Sequence, residues 1–281
     1  MQDTNRAIGL LDSGVGGLTV AREIFRLLPR EDIIYYGDTL HLPYGPKDLK
    51  LVREYVEKII RYLIEEKNVK AVVIACNTAT SAALNYVQKK FDLPIFGMID
   101  SAAKKAVNLS QKRRVAVIGT EGTINSNAYQ NAVKDLASDI EVYAEACPSF
   151  VELVENGKFK GTEVKKTAEN YLAPLISAEV DSLILGCTHF PYLTEVLQKT
   201  MGEEVDLINP AREMAFEVKS KLLEAKLLKK QNQKGRHNFI VSDRSRISRQ
   251  FLEHGRKFLG LENLNFKEEN IFKNDNWEEN I

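Results

Sequence analysis

Hydrophobic positions along the chain fall into two kinds of stretch that alternate. Short runs of mostly β-branched residues, nearly continuous in apolar character, occur at Ala7–Leu11, Ile33–Tyr36, Ala71–Ala75, Ile95–Gly97, Val115–Ile118, Ile140–Ala144 and Leu183–Leu185. Such runs predict parallel strands covered on both faces. Between them apolar residues recur at helical spacing. In Lys47–Lys67, Val52, Tyr55, Val56, Ile59, Ile60 and Leu63 share one face, while Arg53, Glu54, Glu57, Lys58 and Arg61 face away. Strand and helix alternate throughout, which predicts an α/β fold whose ligand sites lie beyond the carboxyl ends of the strands.

The pattern occurs twice. One strand runs into Asp12-Ser13-Gly14 and a later one into Cys76-Asn77-Thr78; in the second half, one runs into Gly119-Thr120-Glu121 and another into Cys187-Thr188-His189. Thr120 lies 108 residues after Asp12, and Cys187 lies 111 after Cys76. The expectation is two similar parallel-sheet α/β domains related by internal duplication, with the active site in the cleft between them. The first would comprise residues 1–98 plus 212–281, the second 99–211. The C-terminal return is expected to hold a helix at Arg212–Leu228, a polar hinge at Lys229–Arg236 and a strand at Phe239–Ser242. A helix at Ser245–Phe258 follows, with Phe251, Leu252 and Phe258 apolar, and then a loosely held tail at Lys267–Ile281.

Length and charge narrow the classes. At roughly 150 residues per domain, 281 residues make about two domains. The 39 basic and 39 acidic residues cancel, which argues against a surface built to wrap nucleic acid or lie on anionic lipid. No apolar run approaches the roughly 18 residues of a spanning helix, and Met1 to Asn5 lack the apolar segment of a secretory signal. A cytoplasmic protein is therefore expected. The three cysteines, Cys76, Cys147 and Cys187, are an odd number without an export signal, so they do not read as a disulfide framework.

Position separates the thiols. Cys76 and Cys187 each stand between a strand and a helix, where unsatisfied backbone N–H groups favour an anion and lower a thiol from its usual pKa of about 8.5. Each is followed by small polar residues able to cap a helix or bond a carboxylate. Cys147, ahead of Pro148, reads as structural. Asp12 ends the first strand, where it can orient or deprotonate a group, or simply cap the next turn. Gly14, Gly16 and Gly17 allow close backbone approach, but position 19 is Thr, so the dinucleotide fingerprint is missed. His189, two residues after Cys187, suits proton handling. Pro43-Tyr44-Gly45 reads as a turn whose Tyr44 lines a pocket or packs on the next helix.

These motifs resemble the glutamate racemases, cofactor-independent enzymes of bacterial cell-wall synthesis. The likeness runs from Ile8 to Arg212 through Asp12-Ser13-Gly14-Val15-Gly16-Gly17-Leu18, Pro43-Tyr44-Gly45, Ala75-Cys76-Asn77-Thr78-Ala79, Gly119-Thr120-Glu121-Gly122-Thr123, Cys147-Pro148, Leu153-Val154-Glu155-Asn156-Gly157 and Leu185-Gly186-Cys187-Thr188-His189-Phe190-Pro191. It implies interconversion of L- and D-glutamate, with Cys76 and Cys187 as the acid/base pair, Asp12 assisting Cys76, and His189 and Glu155 assisting Cys187. Asp12, Ser13, Pro43, Tyr44, Gly45, Asn77, Thr78, Thr120, Thr123, Thr188 and His189 would hold the substrate. It further implies no cofactor and a homodimer, while the spacing of the thiols and His189 argues against a metal. The related aspartate racemases share the paired-cysteine plan; Cys187-Thr188-His189 and Pro43-Tyr44-Gly45 favour glutamate. Three other readings compete: a zinc centre from Cys76, Cys147, Cys187 and His189, which lack a Cys-x-x-Cys clip; a non-catalytic binding protein; and a thiol redox enzyme.

Overall fold

The computed structural model describes residues 4–230 and 233–273. The side chain of Phe251 and the tail from 274 onward lie outside the described residues. The first half runs β1 (Ile8–Asp12), α1 (Leu18–Leu27), β2 (Ile33–Gly37), α2 (Leu49–Glu65), β3 (Ala71–Ile74), α3 (Asn77–Lys90) and β4 (Ile95–Phe96). After α4 (Ile99–Leu109) come β5 (Arg114–Gly119), α5 (Glu121–Asn125), α6 (Ala128–Leu136), β6 (Glu141–Ala146), α7 (Pro148–Glu155) and α8 (Thr162–Ser177). The second half closes with β7 (Ser182–Gly186), α9 (Thr194–Met201) and β8 (Asp206–Ile208). The return comprises α10 (Pro210–Glu224), β9 (His237–Val241), α11 (Arg249–Leu259) and β10 (Phe266–Glu268).

Two parallel sheets result. Their orders are β10-β9-β2-β1-β3-β4 and β6-β5-β7-β8. Removing the two added strands leaves β2-β1-β3-β4, which is the order of the second sheet with each strand four later. β1 therefore corresponds to β5 and β3 to β7, so Asp12 answers to the end of β5 and Cys76 to Cys187. The fully buried runs of β1 and β7 have helices on both faces, as their uninterrupted apolar character requires.

Local chemistry sets the helix ends. The Asp48 carboxylate accepts from the Lys50 N–H at 2.7 Å, so α2 starts at Leu49 rather than Lys47. The six apolar residues assigned to its inner face are the six buried. α10 begins two residues before the expected Arg212, because Asn209 caps it and Pro210 suits the first turn. It packs on both α1 and α4, and one hydrophobic cluster runs from Leu10 and Leu18 through Met214 to Ala116 and Phe190, joining the two halves.

At the start of the polar hinge, Lys229 Nζ pairs with Asp32 at 2.7 Å, and its backbone N–H donates to Glu31. Two expectations for the C-terminal part are corrected. The last helix starts at Arg249, after a short 3-10 turn at Arg244–Arg246 whose lead residue Asp243 accepts from Ser245. The tail is held as far as residue 273. β10 pairs with β9, Glu269 accepts from Tyr62 and, at 2.9 Å, from Lys67, and the buried Phe272 meets the His41 ring edge-on at 4.5 Å. Among the described residues no helix is long and apolar enough to cross a membrane.

Candidate active site

Both sheets present their carboxyl ends to one cavity of about 270 Å³. Cys76 and Cys187 line it, each following a strand, together with Ser13, Pro43, Tyr44, Gly45, Asn77, Thr78, Thr120, Thr188 and His189. Eleven expected site residues thus share one cavity. The other three stand behind it: Asp12 and Thr123 are completely buried, and Glu155 reaches the site through His189.

The thiol environments differ. Cys76 caps α3, with the Ala79 N–H 3.5 Å from its sulfur. The helix end does not dominate, however: burial pushes the thiol up to about 12, Asp12 adds to this, and the Ala79 N–H and Ser13 only partly offset it. Cys76 is therefore a thiol at neutral pH, against the expectation of a lowered value. Asp12 accepts from Gly17 N–H at 2.9 Å and Gly14 N–H at 3.2 Å, which folds the glycine loop around the carboxylate. Burial nonetheless raises Asp12 above the usual carboxylate range, opposed by His189 and those two N–H groups.

On the opposite wall, His189 Nδ1 lies 3.7 Å from Cys187 Sγ, and Nε2 lies 2.7 Å from Glu155 Oε1. Burial disfavours an imidazolium here, but the bonds to Cys187 and Glu155 outweigh it, and the histidine is held well above 6.5. The ring thus sits between one sulfur and one carboxylate, and Glu155 orients it. Cys147 is buried behind the site with its thiol toward the Glu145 carbonyl, and burial raises it. Among the described residues no group of three or more His, Cys, Asp or Glu can hold a metal ion.

Bonds between the two halves close the cleft. Thr19 Oγ1 donates to Thr188 O at 2.9 Å, Gly122 N–H donates to Gly45 O at 2.8 Å, and Thr78 Oγ1 meets Thr120 Oγ1 at 2.8 Å. Glycine is required where the walls touch. A Cβ on Gly16 would lie 2.6 Å from His189 Cε1 and from Thr188 Oγ1, and one on Gly45 would lie 2.8 Å from Thr120 Cβ.

Sequence reasoning missed Glu121 and Glu152, which also line the cavity. The available signal was adjacency: Glu121 follows Thr120, and Glu152 stands one turn before Glu155 on α7. Among the described residues the lining holds no lysine or arginine. Apart from the Glu121 and Glu152 carboxylates, the polar groups that line it are amides, hydroxyls and the His189 ring.

Residues 8–217 match the model of the family described as Asp/Glu/Hydantoin racemase. The chain belongs to that family. A glutamate racemase of Geobacter metallireducens is 44% identical over 255 residues, which is 91% of this chain and 93% of that protein. Among solved structures, the glutamate racemase isoform RacE1 of Bacillus anthracis superposes with a TM-score of 0.90 at 36% identity, covering 96% of this chain and 99% of that one. A glutamate racemase of Francisella tularensis in complex with D-glutamate gives 0.87 at 35% identity, covering 95% and 98%.

Proposed function

We propose that the chain interconverts L- and D-glutamate by two-base proton transfer at Cα. The observation that carries the reading is the pair of strand-end thiols lining one cavity from the two sheets, with Asp12 acting on Cys76 and His189 beside Cys187. Relatives named as glutamate racemases over most of the chain support the choice of substrate.

Inversion needs a group on each face of the substrate. One thiolate takes the α-proton, forming S–H as the Cα–H bond breaks and the electron pair delocalises into the adjacent carboxylate. The other thiol then delivers its proton to the opposite face. The reverse reaction exchanges the roles. Cys76, protonated in the resting site, is suited to donate first, and once it is a thiolate Asp12 beside it makes it a stronger base. His189, oriented by Glu155, restores protons on the Cys187 side. The developing charge meets the N–H groups at Ser13, Asn77 and Thr188, with Thr78 and Thr120 hydroxyls nearby. Closure of the two halves excludes water and strengthens these interactions. A cytoplasmic homodimer supplying D-glutamate for peptidoglycan is the setting that the family resemblance suggests.

The test is incubation of the purified protein with L-glutamate in D₂O without added cofactor. The expected product is D-glutamate carrying deuterium at Cα. Unchanged optical rotation with no exchange rejects the reading.

A further inference from the structure

Asn77 is the first residue of α3, directly after Cys76, and it lines the cavity. A side-chain amide offers two ends of opposite character, and only the NH₂ end can donate to a carboxylate. What decides which end faces the substrate is a residue that sequence reasoning did not single out. Tyr129, on α6 of the other half, is completely buried, and its hydroxyl lies 2.6 Å from Asn77 Oδ1. That separation suits O–H···O and is too short for an amide N–H donating to the phenol oxygen. The other acceptor within reach, Met98 O, is 3.5 Å away, so the single phenolic proton goes to Asn77. Burial pushes the phenol well above 10, with Cys187 adding to it, which keeps that proton in place at any working pH.

We propose that Tyr129 is a positioning residue: by donating to Asn77 Oδ1 across the interface between the halves, it turns the Asn77 NH₂ toward a substrate carboxylate in the cavity. The inference rests on the reading of the cavity as a glutamate site. It also links closure to binding, because the amide is oriented only when α6 and α3 are in register.

The test is steady-state kinetics of Tyr129→Phe in both directions. Phenylalanine keeps the volume but leaves the Asn77 oxygen without its buried donor, so the amide turns its oxygen to the cavity. KM is expected to rise about tenfold for both enantiomers with kcat little changed, a loss equivalent to about 1.4 kcal/mol. Mere structural damage would instead lower the active fraction, reducing kcat at constant KM; that result, or an unchanged KM, overturns the proposal. In an Asn77→Ala background, Tyr129→Phe is expected to add nothing further, and a second equal rise in KM also overturns it. Should Tyr129→Phe not fold, wild-type protein labelled with ¹⁵N-asparagine decides: the Asn77 NH₂ signals must shift on saturation with D-glutamate, and signals that stay put overturn the assignment. Failure of the wild type to exchange the glutamate α-proton rejects the functional reading itself and is seen before any variant is made.

Discussion

Gly16→Ala tests whether the contact between the two halves governs the chemistry. The added Cβ would lie 2.6 Å from His189 Cε1 and from Thr188 Oγ1, and 2.8 Å from His189 Nδ1. Non-bonded heavy atoms settle at about 3.5–4.0 Å, so the histidine, the threonine or the whole wall must retreat by about 1 Å. His189 cannot turn aside freely, because Glu155 holds Nε2 at 2.7 Å. A displacement of about 1 Å at a reacting group typically costs about 10²-fold in rate, whereas overpacking of this kind costs about 1–3 kcal/mol of stability. The expected outcome is a folded protein with kcat/KM for glutamate reduced about 100-fold. Polarimetry with D-glutamate and L-glutamate, alongside α-proton exchange by NMR, reads it. Exchange from the enantiomer that Cys187 deprotonates should fall further than exchange from the other. Gly14→Ala in the same loop is the control: its Cβ would meet Leu42 Cδ2 at an ordinary 3.6 Å, and activity should be retained. A Gly16→Ala protein whose kcat/KM stays within about threefold of wild type would mean that this contact does not position His189 for the reaction.

Two other predictions follow from buried charge. Lys70 has no exposed side-chain surface; its Nζ pairs with Glu31 at 2.5 Å and donates to Thr4 O and Leu227 O. Lys70→Met leaves Glu31 buried and unpaired, so urea denaturation should show a loss of about 3–5 kcal/mol, and a loss under about 1 kcal/mol would contradict the pair's role. His189 has a folded-state pKa raised above its unfolded value near 6.5, so the native state binds the extra proton. The stability it contributes is complete below about pH 6.5 and is lost as pH rises through the raised value. Denaturation midpoints should decline over that window, and the decline should flatten in Glu155→Gln; identical profiles for the two proteins would rule the linkage out.

The central elements were legible because their signals are local. Buried parallel strands read as unbroken apolar runs, and the inner face of α2 follows from spacing alone. The paired cysteines stood out through the repeat, which the matching strand orders of the two sheets mirror. β8 and β10 carry no unbroken apolar run of their own and take their place from neighbouring strands. The same holds for the tail, whose Glu269 and Phe272 are fixed by Tyr62, Lys67 and His41, partners some 200 residues away in sequence. In the site, the residues that line the cavity carry motifs, whereas Tyr129 acts only through a contact between the halves and has no sequence signature. The raised pKa of Cys76 has a related cause: the helix end is visible in sequence, but the burial that overrides it is not.

In the two-base arrangement each thiol serves one face of the substrate. The most direct measurement is α-proton exchange into D₂O, from L-glutamate and D-glutamate separately, with Cys76→Ser and Cys187→Ser proteins. Each variant should lose racemisation, and any exchange that survives should come from one enantiomer only, the opposite one in the two variants. Racemisation at the wild-type rate by either variant, or exchange from both enantiomers with one thiol removed, would contradict the two-base arrangement.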